Sequence, residues 1–240
     1  RCDSTTVSSF SAVGYYFAKN MYKELNIPIG IINTTWGGTN IETWISRQGF
    51  ESSDEFKEMI ATVPEINLDS LSKLLSQSTE LRIMALQESK LNIPEVTTFK
   101  ELSYDDSKWP ELLAPQLWEQ QAVGDLDGVV WLRKTIVLSQ EEITGNAVLH
   151  LAKIDDDDIS YVNAVKVGST NQYDAQRKYA VPAGILKPGK NVIAVRVTDN
   201  TGGGGIYGNS EDLKLVLGEK IISLAGKWKF QVESIKKTTN

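Results

Sequence analysis

Beyond Pro94 the apolar residues of this chain recur with a period of two, and no other feature restricts the fold as much. Side chains alternate between two faces only where the backbone is extended. Gly128 to Leu138, Asn146 to Ile154, Ile159 to Val167, Arg177 to Val181, Asn191 to Thr198, Leu213 to Leu217, Ile221 to Leu224 and Gly226 to Val232 all read as strands. Ile193, Val195 and Val197 face one way while Ala194, Arg196 and Thr198 face the other, so one side packs and the other is partly solvated. Strands of this number and spacing predict a β-sandwich over residues 96–235. Lys187-Pro188-Gly189-Lys190 has the composition of a type II turn, and a tight hairpin is expected there.

Residues 1–95 read differently. Phe10, Val13, Phe17, Met21 and Leu25 lie at helical spacing after Ser8 or Ser9 as a cap, and Pro28 closes the segment. The apolar run Ile29-Gly30-Ile31-Ile32-Asn33 then has the form of a buried parallel strand, which makes the first 50 residues α/β. Asp54 is placed to cap a short helix carrying Phe56, Met59 and Ile60. Asp69 is placed to cap a longer one carrying Leu71, Leu74, Leu75, Leu81, Met84 and Ala85. The boundary between the two regions falls near residues 95–105.

Composition removes several functions. A net charge of −6 with no block of Lys and Arg leaves no footprint for a phosphate backbone, so nucleic acid is not an expected partner. No apolar run is long enough for a membrane span. Cys2 is the single cysteine, so neither an internal disulfide nor a thiolate metal site is available, and no cofactor or metal is expected. His150 is the single histidine. It sits in the strand-like Ala147-Val148-Leu149-His150-Leu151-Ala152 with no nucleophile motif nearby, which reads as a half-buried strand histidine rather than a catalytic base.

The stretch Ile31 to Trp44, IINTTWGGTNIETW, runs from an apolar segment into a glycine corner and then a helix-like segment. Two readings of Trp36-Gly37-Gly38-Thr39 stand: a tightly packed connection, or a wall whose bare N–H groups approach a carbonyl oxygen as it gains charge. Glu42 caps the helix start or holds the loop, and Trp44 reads as core. The run Asp155 to Asp158 lacks the alternating ligand spacing of a calcium loop and reads as a solvated strand connection. Gly202 to Gly205 is a loop at one end of the sandwich, where binding tends to sit.

Asp127-Gly128-Val129-Val130-Trp131-Leu132-Arg133-Lys134, Asp155 to Asp158 followed by Tyr161-Val162-Asn163, Gly189 to Val197 and Gly202 to Gly205 resemble the galactose-binding-like jelly roll, also the accessory domain of family 2 glycoside hydrolases. Together with Phe10-Ser11-Ala12-Val13-Gly14-Tyr15-Tyr16-Phe17 and WGGTNIETW, the order along the chain resembles the sialate O-acetylesterase family, in which such a sandwich is inserted into an SGNH-type hydrolase domain. The sequence departs from the sandwich pattern at Asn163-Ala164, where Asn-Gly is usual and alanine is disfavoured in a left-handed position.

The resemblance implies an extracytoplasmic esterase acting on an acetylated sugar or sialoglycan by serine-hydrolase chemistry. It implies oxyanion donors at Gly37, Gly38 and Thr39 and substrate contacts at Trp36 and Glu42. The family's Gly-Gln-Ser, Gln-Gly-Glu and Asp-x-x-His motifs are absent from this sequence. The chain is therefore expected to be the middle of such an enzyme, inactive alone. Residues 1 to about 95 are expected to pack as helices on the sandwich, to self-associate through an unpaired strand edge, or to be poorly ordered.

Overall fold

A computed structural model describes residues 10–34, 39–89, 91, 97–143 and 145–236. The chain divides into two compact units, Arg1–Glu65 and Ile66–Asn240.

The described part of the first unit is helical. Helix α1, Ala12–Leu25, is capped by Ser11, whose Oγ accepts from Gly14 N at 3.2 Å, so the cap lies nearer the helix than Ser8 or Ser9. Asn26 ends it in the left-handed conformation and donates its N–H to the Tyr22 carbonyl. Helices α2 (Arg47–Glu51) and α3 (Lys57–Thr62) meet through an edge-to-face Phe50–Phe56 contact. The Arg47 guanidinium closes the end of α3 by donating to the carbonyls of Ile60 and Val63. Asp54 pairs with Lys57 at 2.8 Å instead of accepting a backbone N–H.

The parallel strand expected at Ile29 to Asn33 does not form. Ile32 is 89% exposed, and the described residues of this unit include no strand to pair with it. A strand without a ladder partner leaves its backbone groups to water, so these residues form no strand among the described residues.

The second unit is a β-sandwich of two antiparallel sheets. Its strands are β1 (Glu111–Ala114), β2 (Gly128–Leu138), β3 (Ala147–Asp155), β4 (Asp157–Val162), β5 (Val165–Asn171), β6 (Gln176–Val181), β7 (Gly189–Asp199), β8 (Gly205–Tyr207), β9 (Leu213–Leu217), β10 (Lys220–Ser223) and β11 (Gly226–Ile235). One sheet runs β1-β11-β2-β7-β4-β5. The other runs β10-β9-β3-β6, with β8 also paired to β3. Ile193, Val195 and Val197 of β7 enter the core between the sheets, beside Val130, Leu132, Leu149, Leu151, Trp228 and Phe230. The opposite face of the same strands is less wet than the alternation predicts. Phe99, Trp109 and Trp131 pack there against Val192 and Ala194. Arg133 lies buried beneath this cover, paired to Asp106 at 2.8 Å.

Helix α4, Leu68–Gln87, belongs to this unit, so the compact unit begins before the β periodicity does. Asn67, not Asp69, caps it, accepting from Ser70 N at 2.9 Å. Its packing face is Ile83 and Leu86, and Gln87 accepts from Val232 N at 2.9 Å. Leu71, Leu74, Leu75, Leu81 and Met84, expected as the packing stripe, are exposed.

Two turns also differ from expectation. Gly189 has the positive φ that a type II turn requires, but β6 and β7 lie in different sheets, so Pro188-Gly189 ends a crossover and does not close a hairpin. The single strand read from Ile159 to Val167 is a hairpin of β4 and β5. Its turn residues Asn163 and Ala164 both have positive φ, the pattern of a type I′ turn. Asn163 fixes it by accepting from Val192 N at 2.9 Å and donating to Asn191 Oδ1 at 2.7 Å.

Between the sheets lies one buried polar knot. Asp158 on β4 accepts from Arg177 Nε at 3.0 Å and from Tyr179 Oη at 2.8 Å, both on β6, and both members of the ion pair are fully buried. Ser160 donates to the other oxygen, Oδ2, at 2.7 Å.

Removing one partner of a buried ion pair strands the other charge, so Arg177→Ala is expected to cost about 3–5 kcal/mol in urea unfolding. Ala164→Gly relieves the left-handed alanine and is expected to stabilise by roughly 0.5–1 kcal/mol in the same measurement.

Candidate functional site

The residues singled out as a possible acetyl-binding wall fall in two groups. Trp36, Gly37 and Gly38 lie outside the described residues. Thr39 and Glu42 are described, and the segment that follows the corner is a four-residue 3₁₀ turn, Ile41–Trp44, not an α-helix. The Asn40 carbonyl accepts from both the backbone N–H and the hydroxyl of Thr43, at 3.2 and 2.7 Å. Such local bonds compete with helix continuation. A single 3₁₀ turn does not supply the aligned dipoles on which helix-terminal charge stabilisation rests. Trp44 is not core: it is 46% exposed, and its Nε1 donates to Thr39 Oγ1 at 2.9 Å, pinning the indole back over the start of the turn. Glu42 is exposed.

His150 lies on β3, half buried, with Lys178 and Lys214 as its cross-strand neighbours. Burial first, and then these two ammonium groups, hold its pKa below the ordinary histidine value. It is neutral at pH 7 and has no nucleophile beside it on the adjacent strands, so it has the place of a strand residue.

The glycine run at the end of the sandwich closes over carboxyl groups that the sequence did not bring together. Asp199, the last residue of β7, is 1% exposed, and neither of its carboxyl oxygens has a hydrogen-bond partner among the described residues. Glu119 sits on the short 3₁₀ turn Trp118–Gln120, and its Oε2 accepts from Gly204 N at 3.0 Å. Gly204 is the tight point. A Cβ there would lie 2.0 Å from the Trp118 ring and 2.5 Å from Asp199 Oδ2, so only glycine fits. Asp155 lies beside Gly203, and Asp156 accepts from Asn200 N at 2.8 Å.

Burial, followed by the charges of Asp127, Glu119, Asp156 and Asp155, pushes Asp199 up to about 8. Burial, and then its hydrogen bond to and charge repulsion from Asp156, raise Asp155 to about 6. Asp199 is therefore protonated at neutral pH. Sealed beneath Trp118 and Gly204, it stores a proton but is closed to a substrate. Of the Asp155 to Asp158 run, Asp158 is committed to Arg177 and Tyr179, and among the described residues no group of three or more metal-ligating side chains is arranged to hold a metal ion.

Glu119 and Asp199 were missed in the sequence because their spacing of 80 residues carries no local pattern. The signal that pointed toward them was the glycine run itself.

No family model matches the chain. Over short stretches it is similar to curated sialate O-acetylesterases. It is 43% identical to that of Rattus norvegicus over 42 residues, which is 18% of this chain and 8% of the relative. It is 47% identical to that of Mus musculus over 38 residues, 16% of this chain and 7% of the relative. The matched stretch thus spans under a tenth of the length of these relatives. Among solved structures, a beta-glucuronidase from Bacteroides uniformis aligns with 58% of this chain and 16% of its own at 21% identity and a TM-score of 0.42. A glycosyl hydrolase family 2 member from Bacteroides cellulosilyticus aligns with 60% of this chain and 19% of its own at 19% identity and a TM-score of 0.42.

The raised carboxyls set a pH dependence. A carboxyl whose folded pKa exceeds its unfolded value binds more protons folded than unfolded, so stability falls as pH rises from about 4 and levels off above the folded pKa. For Asp199 the fall runs to about pH 8. Thermal unfolding of Asp199→Asn between pH 4 and pH 9 is expected to show a flatter profile and a higher midpoint than wild type at pH 8.

Proposed function

We propose that this chain is a segment of a carbohydrate O-acetylesterase that removes acetyl esters from sialic acid or a related acetylated sugar. The observation that carries this reading is the 43–47% identity to sialate O-acetylesterases over 38–42 residues. The motif WGGTNIETW supports it from the sequence side.

In this reading the chemistry is acyl transfer. A serine hydroxyl attacks the acetyl carbonyl while a histidine takes its proton, and the collapsing oxyanion expels the sugar hydroxyl, which recovers that proton. Water then attacks the acetyl-serine and releases acetate. The 240 residues supply neither the Gly-Gln-Ser nucleophile motif nor an Asp-x-x-His base, and His150 is placed for neither role. The nucleophile and base come from outside this sequence. Gly37, Gly38 and Thr39 contribute backbone N–H donors to the oxyanion, Trp36 and Glu42 line the acetylated sugar, and the sandwich is a galactose-binding-like insert in an SGNH-type hydrolase. The reaction is placed outside the cytoplasm, where sialoglycans are displayed.

Acetate release from an O-acetylated N-acetylneuraminate by the purified 240-residue chain is expected to stay at background. Release well above background overturns the assignment of the nucleophile and base to other residues. In the longer polypeptide encoded around this sequence, Gly38→Pro deletes one N–H donor and is expected to lower kcat roughly 100-fold or more with little change in KM. A parent polypeptide without esterase activity overturns the reading itself.

A further inference from the structure

The segment that carries the glycine run is held down by carboxyl groups. Between the end of β7 and the start of β8, three alternate backbone N–H groups each donate to a carboxyl from a different segment: Asn200 N to Asp156 Oδ2 at 2.8 Å, Gly202 N to Asp127, and Gly204 N to Glu119 Oε2 at 3.0 Å. The carbonyl side is tied as well. The Asn200 oxygen accepts from Lys236 Nζ at 2.7 Å, and the Gly204 oxygen accepts from Trp118 N at 3.0 Å. Residues 200–205 thus form a strap across one end of the sandwich, with Gly204 and Gly205 lying against the Trp118 ring.

Beneath the strap lies a group that the strap does not satisfy. Asp199 is 1% exposed, and neither of its carboxyl oxygens has a hydrogen-bond partner among the described residues. Its Oδ2 would be 2.5 Å from a Cβ on Gly204, so the strap backbone itself covers it. Glu119 Oε1 is also buried without a partner among the described residues. A buried acceptor without a donor is destabilising when neutral, and far more so when charged.

The groups that face Asp199 are of one sign. Glu119 on the turn Trp118–Gln120, Asp127 ahead of β2, and Asp155 and Asp156 at the β3–β4 junction all oppose a charge on it. Asp125 adds to the negative field at Glu119 and Asp127. The nearby cations are engaged elsewhere, Lys236 with the Asn200 carbonyl and Arg177 with Asp158. While the strap is down, an ionised Asp199 has neither donor nor counter-ion, and lifting the strap admits water to it.

We propose that the strap is a proton-operated latch: Asp199 lets residues 200–205 lie shut while it keeps its proton, and loss of that proton lifts them off the Trp118 ring. The inference stands without the esterase reading, because it concerns the end of the sandwich alone and is measured without any hydrolysis. Burial, and then the facing charges, hold the ionisation of Asp199 at about 8 with the strap down, whereas water returns it toward the ordinary value of about 4. Opening therefore releases a proton. The opening equilibrium rises by about tenfold per pH unit and levels off once the pH passes the closed-state value.

The test is amide hydrogen exchange of the ¹⁵N-labelled 240-residue chain, read at Gly204 N–H and, as the reporter of global unfolding, at Val195 N–H on β7. After correction for the intrinsic rate, Gly204 is expected to open about 100-fold or more often than Val195 at pH 8. Its opening is expected to be about tenfold or more greater at pH 8 than at pH 6.5. Asp199→Asn keeps the neutral shape and is expected to flatten that difference to under about twofold. Glu119→Gln keeps an acceptor for Gly204 N–H but deletes one facing charge, so the levelling-off is expected to move to lower pH. Gly204 exchange that matches Val195, that is unchanged between pH 6.5 and pH 8, whose pH dependence survives Asp199→Asn, or whose levelling-off stays in place in Glu119→Gln overturns the proposal.

Discussion

The contact on which the sandwich depends is the buried pairing of Asp158 with Arg177 and Tyr179. Asp158 enters from β4 of one sheet, and its two partners enter from β6, the edge strand of the other. Because β6 is paired to β3 alone, this knot ties a sheet edge across the core. A buried pair is weak evidence of net stability, since desolvating both charges is costly, but it is strong evidence of register. With Asp158 fixed inward, the period of two sends Ile159 and Tyr161 outward. A slip by one residue would bury Tyr161 and put the carboxylate of Asp158 in water. The outer face of β4 therefore inherits its arrangement from an interaction on the opposite side of the same strand.

Two regions of the second unit handle charge in opposite ways. At the glycine-run end, carboxyls crowd beneath Trp118, and burial keeps a proton on Asp199 near neutrality. Glycine is required at 204 because the ring and the carboxyl occupy the volume a Cβ would need. On the outer face, Arg196 and Glu233 form an ion pair. The first arrangement is closed and governs how stability varies with pH. The second fixes Glu233 against Arg196 and Trp131 on the outer face.

The sandwich was legible because strand alternation is a local property. β2, β6, β7, β9 and β11 sit within two or three residues of where the sequence puts them. What escaped was short or depended on distant partners. β1 and β8 are four and three residues long, too brief to show a period. Gly189 takes the positive φ expected of it, but the expected hairpin does not form, since which sheet a strand joins is decided by partners far along the chain. Ile29 to Ile32 have the composition of a buried strand, but the described residues of their unit hold no strand for them to pair with. For the candidate sites, WGGTNIETW stood out as a motif, whereas the carboxyls gathered around Asp199 did not. Glu119, Asp127, Asp155 and Asp156 reach it from separate segments, and no window of sequence contains them all.

The central claim is the proposed division of labour, in which this chain supplies a folded sandwich and the residues that break the ester lie elsewhere. One proton NMR time course tests it, with the chain mixed with an excess of O-acetylated N-acetylneuraminate. The account predicts no growth of the acetate methyl signal above a protein-free control. Acetate release in proportion to protein concentration would contradict it.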